Sequence, residues 1–193
     1  GLPKCGITAL QETVTSLGYN SLHCKIPKHM LHGPDPTEEF VGNLMMKAVR
    51  QGKDPLALLP SNVNAISQMD CWWPHGCFPQ MEALEELVAA YPNAKFIVSI
   101  RNAMKWVQSV DKYGQLRRVL IESELPGLPA GVGAVDDDLI AFFQAHVMRV
   151  RSYFANHDSQ GFLELDLDDG DQINRSRLSD FFGQPVAWDH HNV

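Results

Sequence analysis

The chain has 193 residues, 45% hydrophobic and 20% charged, which suits one globular domain and excludes a disordered chain or a coiled coil. A single core at this length buries about 70% of the unfolded chain's surface, so no disulfide or metal staple is required. Acidic residues outnumber basic ones 23 to 16, a net charge of −7, which argues against a generic nucleic-acid binder and means that any anionic ligand must be held by a local site.

In chain order, Thr8 to Leu17 reads as an amphipathic helix closed by Gly18, where a left-handed residue is wanted. Tyr19 to His23 is a short strand. Prolines at 27, 34 and 36 then break the chain before a helix from Glu38 to Gln51, with Thr37 as N-cap and Gly52 at its end. Ala65 to Met69 reads as a strand running into Asp70. The loop from Cys71 to Cys77 (CWWPHGC) is too rich in Trp and Cys for a plain linker. Pro79 to Tyr91 has helical spacing at Met81, Leu84, Leu87 and Val88, and Pro92 stops it.

Lys95 to Ile100 is apolar nearly throughout, as a buried parallel strand should be, and a helix from Ala103 to about Lys112 follows at once. Leu125 to Gly133 is an irregular loop. Asp136 to Phe154 is a long helix with its acidic residues at the N-terminal end, where the helix dipole favours them. Phe162 to Leu167 is a strand, and Asn174 to Phe182 a last helix closed by Gly183. This alternation predicts an α/β fold: one three-layer domain over 1–193, with a mostly parallel central sheet flanked by helices.

Two motifs carry chemistry. Residues 1–8 (GLPKCGIT) have the glycine frame of a phosphate-binding loop, G-x-x-x-x-G-K-S/T, with Ile7 where the lysine belongs. Backbone amides in such a loop, and the helix N-terminus after it, hold an anion without side-chain charge, and Lys4 supplies the displaced cation. Loss of the lysine at position 7 disfavours nucleotide hydrolysis, which wants that charge on the terminal phosphates. Such a loop ordinarily follows a buried strand, so several apolar residues are expected ahead of Gly1 in the natural protein. The second motif is Arg101, directly after the strongest strand, with Ser109 two helical turns on. Ligands of open α/β sheets bind at the carboxyl ends of strands, and a guanidinium fork with a hydroxyl suits a second phosphate.

Together these motifs resemble the sulfotransferases that use 3′-phosphoadenosine 5′-phosphosulfate. Pro3-Lys4-Cys5-Gly6-Ile7-Thr8-Ala9-Leu10 is similar to their 5′-phosphosulfate loop, commonly P-K-S/T-G-T-T-x-L. Arg101 and Ser109 resemble their 3′-phosphate motif. The stretch 82–97, the strand Phe162 to Asp166 and the segment 181–183 extend the likeness over most of the chain. Cys5 and Ile7 depart from the pattern, each removing a hydroxyl while the amides remain. The resemblance implies a P-loop domain in which Lys4, Cys5, Gly6, Ile7, Thr8, Ala9, Arg101 and Ser109 bind the donor 3′-phosphoadenosine 5′-phosphosulfate. It also implies transfer of the sulfonyl group to a hydroxyl or amine of a small-molecule or carbohydrate acceptor, with Lys4 acting on the departing phosphate and no metal expected.

Activation of the acceptor needs a base. Asp70 is the first candidate, His75 the second and His23 the third. Cys71, His75 and Cys77 lack the paired C-x-x-C units of a structural zinc site, and Trp72, Trp73 and Phe78 suit an acceptor pocket or core packing. The tail from Trp188 to Asn192 either returns to the site or is solvated. Four sparse cysteines point to reduced thiols and a cytoplasmic setting, an upstream targeting segment being left open. No apolar run reaches the roughly 18–20 residues that span a bilayer, and no stretch reads as a signal peptide. Two other classes compete: a nucleotide-dependent P-loop kinase or NTPase, and a non-catalytic nucleotide-binding relative.

Overall fold

The computed structural model describes residues 1–27, 40–72, 76–157 and 161–189. Its fold is α/β, with small parallel sheets between helices. The order is α1 (Ile7–Ser16), β1 (Ser21–Leu22), α2 (Val41–Arg50), β2 (Ala65–Ile66), α3 (Pro79–Glu82), α4 (Leu84–Ala90), β3 (Phe96–Ile100), α5 (Ala103–Lys112), α6 (Leu116–Glu122), α7 (Asp136–Asn156), β4 (Phe162–Asp166) and α8 (Asp171–Phe182). β1 pairs with β2 and β3 with β4, both in parallel. The expected single sheet is therefore seen as two two-stranded units among the described residues.

Side-chain alternation on β3 places helices on both faces of its sheet. Phe96, Val98 and Ile100 join the cluster of α5, α6 and α7, built around Trp106, Val107, Leu116, Leu139 and Phe142. Ile97 on β3, with Leu163 and Leu165 on β4, packs the other way against Leu10 of α1 and Leu178 of α8. Both faces of the strands are thus apolar, which explains why the sequence 96–100 lacks polar alternation. Trp106 is fully buried, with its ring centroid 5.0 Å from that of Phe143.

Several boundaries move for local reasons. The backbone turns at Ala83 (φ −134°) and splits the predicted helix over 79–91 into α3 and α4. The strands at 19–23 and 65–69 shorten to two residues each. α6 was not foreseen in the sequence; its seven residues bury Leu116 and Leu120 between α5 and α7. Thr37, the expected cap of α2, lies outside the described residues, and α2 begins at Val41. The predicted ends at Gly18 and Gly183 are found at φ 85° and 73°, the left-handed region that glycine enters at no steric cost.

Candidate active site

The loop before α1 is pinned from the α5 side. The indole Nε1 of buried Trp106 donates to the carbonyl of Pro3 (2.8 Å), and Arg101 Nη1 donates to the carbonyl of Lys4 (3.2 Å). In a trans peptide the N–H lies opposite the carbonyl, so turning these two carbonyls toward α5 turns the amides of Lys4 and Cys5 away from it. Lys4 and Gly6 both adopt left-handed backbone (φ 69° and 70°). For a lysine this conformation costs about 1–2 kcal/mol, a strain that surrounding contacts must hold in place. Gly6 is the N-cap of α1, no side chain caps the helix, and its first turn carries no acidic residue. The first-turn amides stand at the end of the helix where the dipole favours an anion, with no side-chain cap among the described residues.

Arg101 follows β3 directly, as expected from the sequence, and Ser109 stands two turns into α5. The Arg101 Nε is buried and has no hydrogen-bond partner among the described residues. The turn that carries Arg101 is fixed by Asp168, which accepts from the Asn102 amide and from Lys105. The Lys105 ammonium holds that carboxyl below the ordinary aspartate range.

These parts line one cleft of about 260 Å³, with Lys4, Gly6, Ile7, Thr8, Ala9, Arg101 and Ser109 on its wall. Cys5 belongs to the loop, but its side chain is fully buried in the core, and burial pushes the thiol up to about 12. It can face a ligand only through its backbone. Lys4 is half-buried, and its Nζ lies 4.0 Å from the centroid of the Tyr113 ring, which meets Trp72 edge-on at 4.9 Å. Partial burial, and next the charge of Arg101, lower the Lys4 pKa from its ordinary value. An anion seated between the two cations removes that repulsion.

The three base candidates separate. Asp70 is 2% exposed and is not on the cleft wall. Its Oδ2 accepts from Gln68 Nε2 and Trp72 Nε1, both at 2.8 Å, while burial raises its pKa. The raised pKa would suit a base, but its Oδ2 is engaged by Gln68 and Trp72, which line the cleft where Asp70 does not. Asp70 instead holds the Trp72 indole. His75 lies outside the described residues, as does Trp73. His23 lines the cleft, its Nδ1 lies 2.8 Å from Ser67 Oγ, and burial lowers its pKa from 6.5, so its ring is neutral at pH 7.

Residues 190–192 lie outside the described residues, but the start of the tail returns. Trp188 is buried beside α8 with its indole on Asp171 (3.1 Å), Thr13 donates to the carbonyl of Ala187 (2.8 Å), and Asp189 reaches the cleft wall. Gln68, Tyr113 and Glu12 also line the cleft and were missed from the sequence. Only Tyr113 left a signal there, an aromatic at the end of a helix just before Gly114. Cys71 and Cys77 exchange two backbone hydrogen bonds of 2.8 Å, and both residues are buried. Among the described residues no three-ligand His, Cys, Asp or Glu cluster occurs, and no helix is long and apolar enough to cross a membrane.

A family model described as a sulfotransferase domain matches residues 1–130, which contain the loop, Arg101 and Ser109. The chain belongs to the sulfotransferase domain family. It is thus a transferase whose general chemistry is sulfonyl transfer. A search of curated proteins finds no match. The matched stretch ends before β4 and α8, which complete the packing around β3 and α1.

Proposed function

We propose that this sulfotransferase takes 3′-phosphoadenosine 5′-phosphosulfate as donor and transfers its sulfonyl group to a hydroxyl or amine of a small-molecule or carbohydrate acceptor, in a cytoplasmic setting. The observation that supports the reading is two groups on one cleft, each suited to an anion. One is the uncapped first turn of α1 with the Lys4–Gly6 loop; the other is Arg101, whose buried Nε has no partner among the described residues, with Ser109 on the same cleft. A donor with phosphates at both its 3′ and 5′ positions requires two such sites, and a buried guanidinium donor left without a partner is costly unless a ligand satisfies it.

The donor supplies an activated sulfonyl group on a phosphate leaving group. The first-turn amides of α1 bind the 5′ anion, and Arg101 and Ser109 hold the 3′-phosphate. Lys4 neutralises charge gathering on the bridging oxygen. Its cation–π contact with Tyr113 is worth about 0.5–1 kcal/mol at an exposed site, a weak restraint that attraction to a phosphate outweighs. His23 accepts the acceptor's proton, while Trp72 and Tyr113 form an aromatic wall beside it. Stabilising charge as it develops is commonly the largest catalytic contribution. A kinase or NTPase reading is disfavoured by Ile7, which leaves no lysine for the terminal phosphates.

Lys4 tests mechanism beyond binding. Lys4→Ala lowers kcat at least about tenfold, roughly 1.4 kcal/mol of barrier, with a smaller change in donor affinity. Lys4→Arg rescues little, because a planar fork does not replace a compact point charge. Steady-state kinetics and donor titration check this over a panel of hydroxyl and amine acceptors. A change confined to donor affinity would show that Lys4 only binds.

A further inference from the structure

Ser67, at the end of β2, and Gln11, on α1, belong to no motif, yet they form a continuous polar chain to the cleft. The parallel register pairs Leu22 with Ile66, so the next residues, His23 and Ser67, fall side by side. His23 Nδ1 lies 2.8 Å from Ser67 Oγ, and Ser67 Oγ lies 2.7 Å from Gln11 Oε1. The orientation of the Gln11 amide settles who donates to whom. Its Nε2 donates to the Ser21 carbonyl (3.4 Å), which can only accept, and to Thr15 Oγ1 (3.4 Å). Its Oε1 therefore accepts, from Ser21 Oγ (2.7 Å) as well as from Ser67. The one hydroxyl proton of Ser67 goes to Gln11, or to the Leu22 carbonyl at 3.4 Å, and in neither case to His23. The remaining capacity of Ser67 Oγ toward His23 is a lone pair, which needs an N–H on Nδ1. A neutral imidazole protonated at Nδ1 carries its lone pair on Nε2, and no described residue occupies that nitrogen.

We infer that Ser67 and Gln11 are positioning residues that fix His23 as its Nδ1–H tautomer and so leave Nε2 of this cleft-lining ring as the nitrogen that takes the acceptor's proton. The inference rests on the proposed role of His23. Gln11 sits in the same helix whose first turn faces the donor, so α1 sets both the anion site and the orientation of the base. The proton moves from acceptor oxygen or nitrogen to His23 Nε2 as the new bond to sulfur forms and the sulfur–oxygen bond to the leaving phosphate breaks. The electron pair of that bond stays with the phosphate.

Nitrogen-15 NMR of the selectively labelled full chain, above the ordinary histidine pKa of about 6.5, reads the tautomer without any turnover. The wild type is expected to show Nδ1 protonated and Nε2 unprotonated. Ser67→Ala should mix the tautomers and lower kcat about three- to tenfold, the net worth of one hydrogen bond, while donor affinity stays the same. Ser67→Thr, which keeps the hydroxyl, should restore both signatures, and Gln11→Ala should give a smaller shift in the same direction because the Leu22 carbonyl remains. A wild-type ring protonated at Nε2, or a Ser67→Ala ring and kcat identical to wild type, would overturn the relay. His23→Gln judges the base assignment separately: full activity there dismisses His23 as the base, whereas lost activity with an Nε2–H wild-type ring overturns the relay alone.

Discussion

Replacing His23 by alanine should lower kcat by about 10²–10⁴, the contribution of a positioned general base. Donor affinity should hardly change, because His23 takes no part in either anion site. The ring is half-buried and, among the described residues, its one polar contact is to Ser67, so the fold should tolerate its loss. The pH profile carries a second signature. Burial lowers the His23 pKa below 6.5, so the neutral, proton-accepting form prevails at pH 7. The rate should fall as pH drops below that range, since protonation fills Nε2, and His23→Ala should flatten this acid limb of kcat/KM. An unchanged limb in the variant would assign it to another group, and an unchanged kcat would return the question to His75.

The second large effect belongs to Arg101. Arg101→Ala should weaken binding of adenosine 3′,5′-bisphosphate by about 1.5–3 kcal/mol, the range for a hydrogen bond to a charged group. That is roughly ten- to a hundredfold in Kd. Arg101 also holds the Lys4 carbonyl, so part of the loss passes through the loop and should appear with any 5′-phosphorylated nucleotide. The 3′-phosphate contribution is the excess of one loss over the other. Titration of adenosine 5′-monophosphate in parallel isolates it, and equal losses for both ligands would leave Arg101 with the loop-holding role alone.

Where one physical signal dominated, the fold was legible in the residues. The run of apolar side chains at 96–100 marked a strand covered on both faces, and Arg101 at its end located the crevice. Asp136, Asp137 and Asp138 marked the start of α7 through the helix dipole. The loop was legible because Lys4, Gly6 and the helix start stand at fixed spacing. The choice of base was not: the sequence ranks Asp70 first, His75 second and His23 third, with both Asp70 and His23 at strand ends. Only packing shows that Gln68 and Trp72 close over the carboxylate while the imidazole meets the cleft. The relay was invisible for a related reason. Gln11, Ser67 and His23 are separated in sequence, and they meet because β1 and β2 pair in one register and α1 sets Gln11 against both Ser21 and Ser67.

The proposed pair of anion sites on one cleft is tested most directly by a calorimetric comparison of adenosine 3′,5′-bisphosphate with ATP, each with and without Mg²⁺. The predicted result is binding of the bisphosphate that is insensitive to Mg²⁺ and clearly tighter than that of ATP under either condition. Tight, Mg²⁺-dependent binding of ATP with little or none of the bisphosphate would contradict the account.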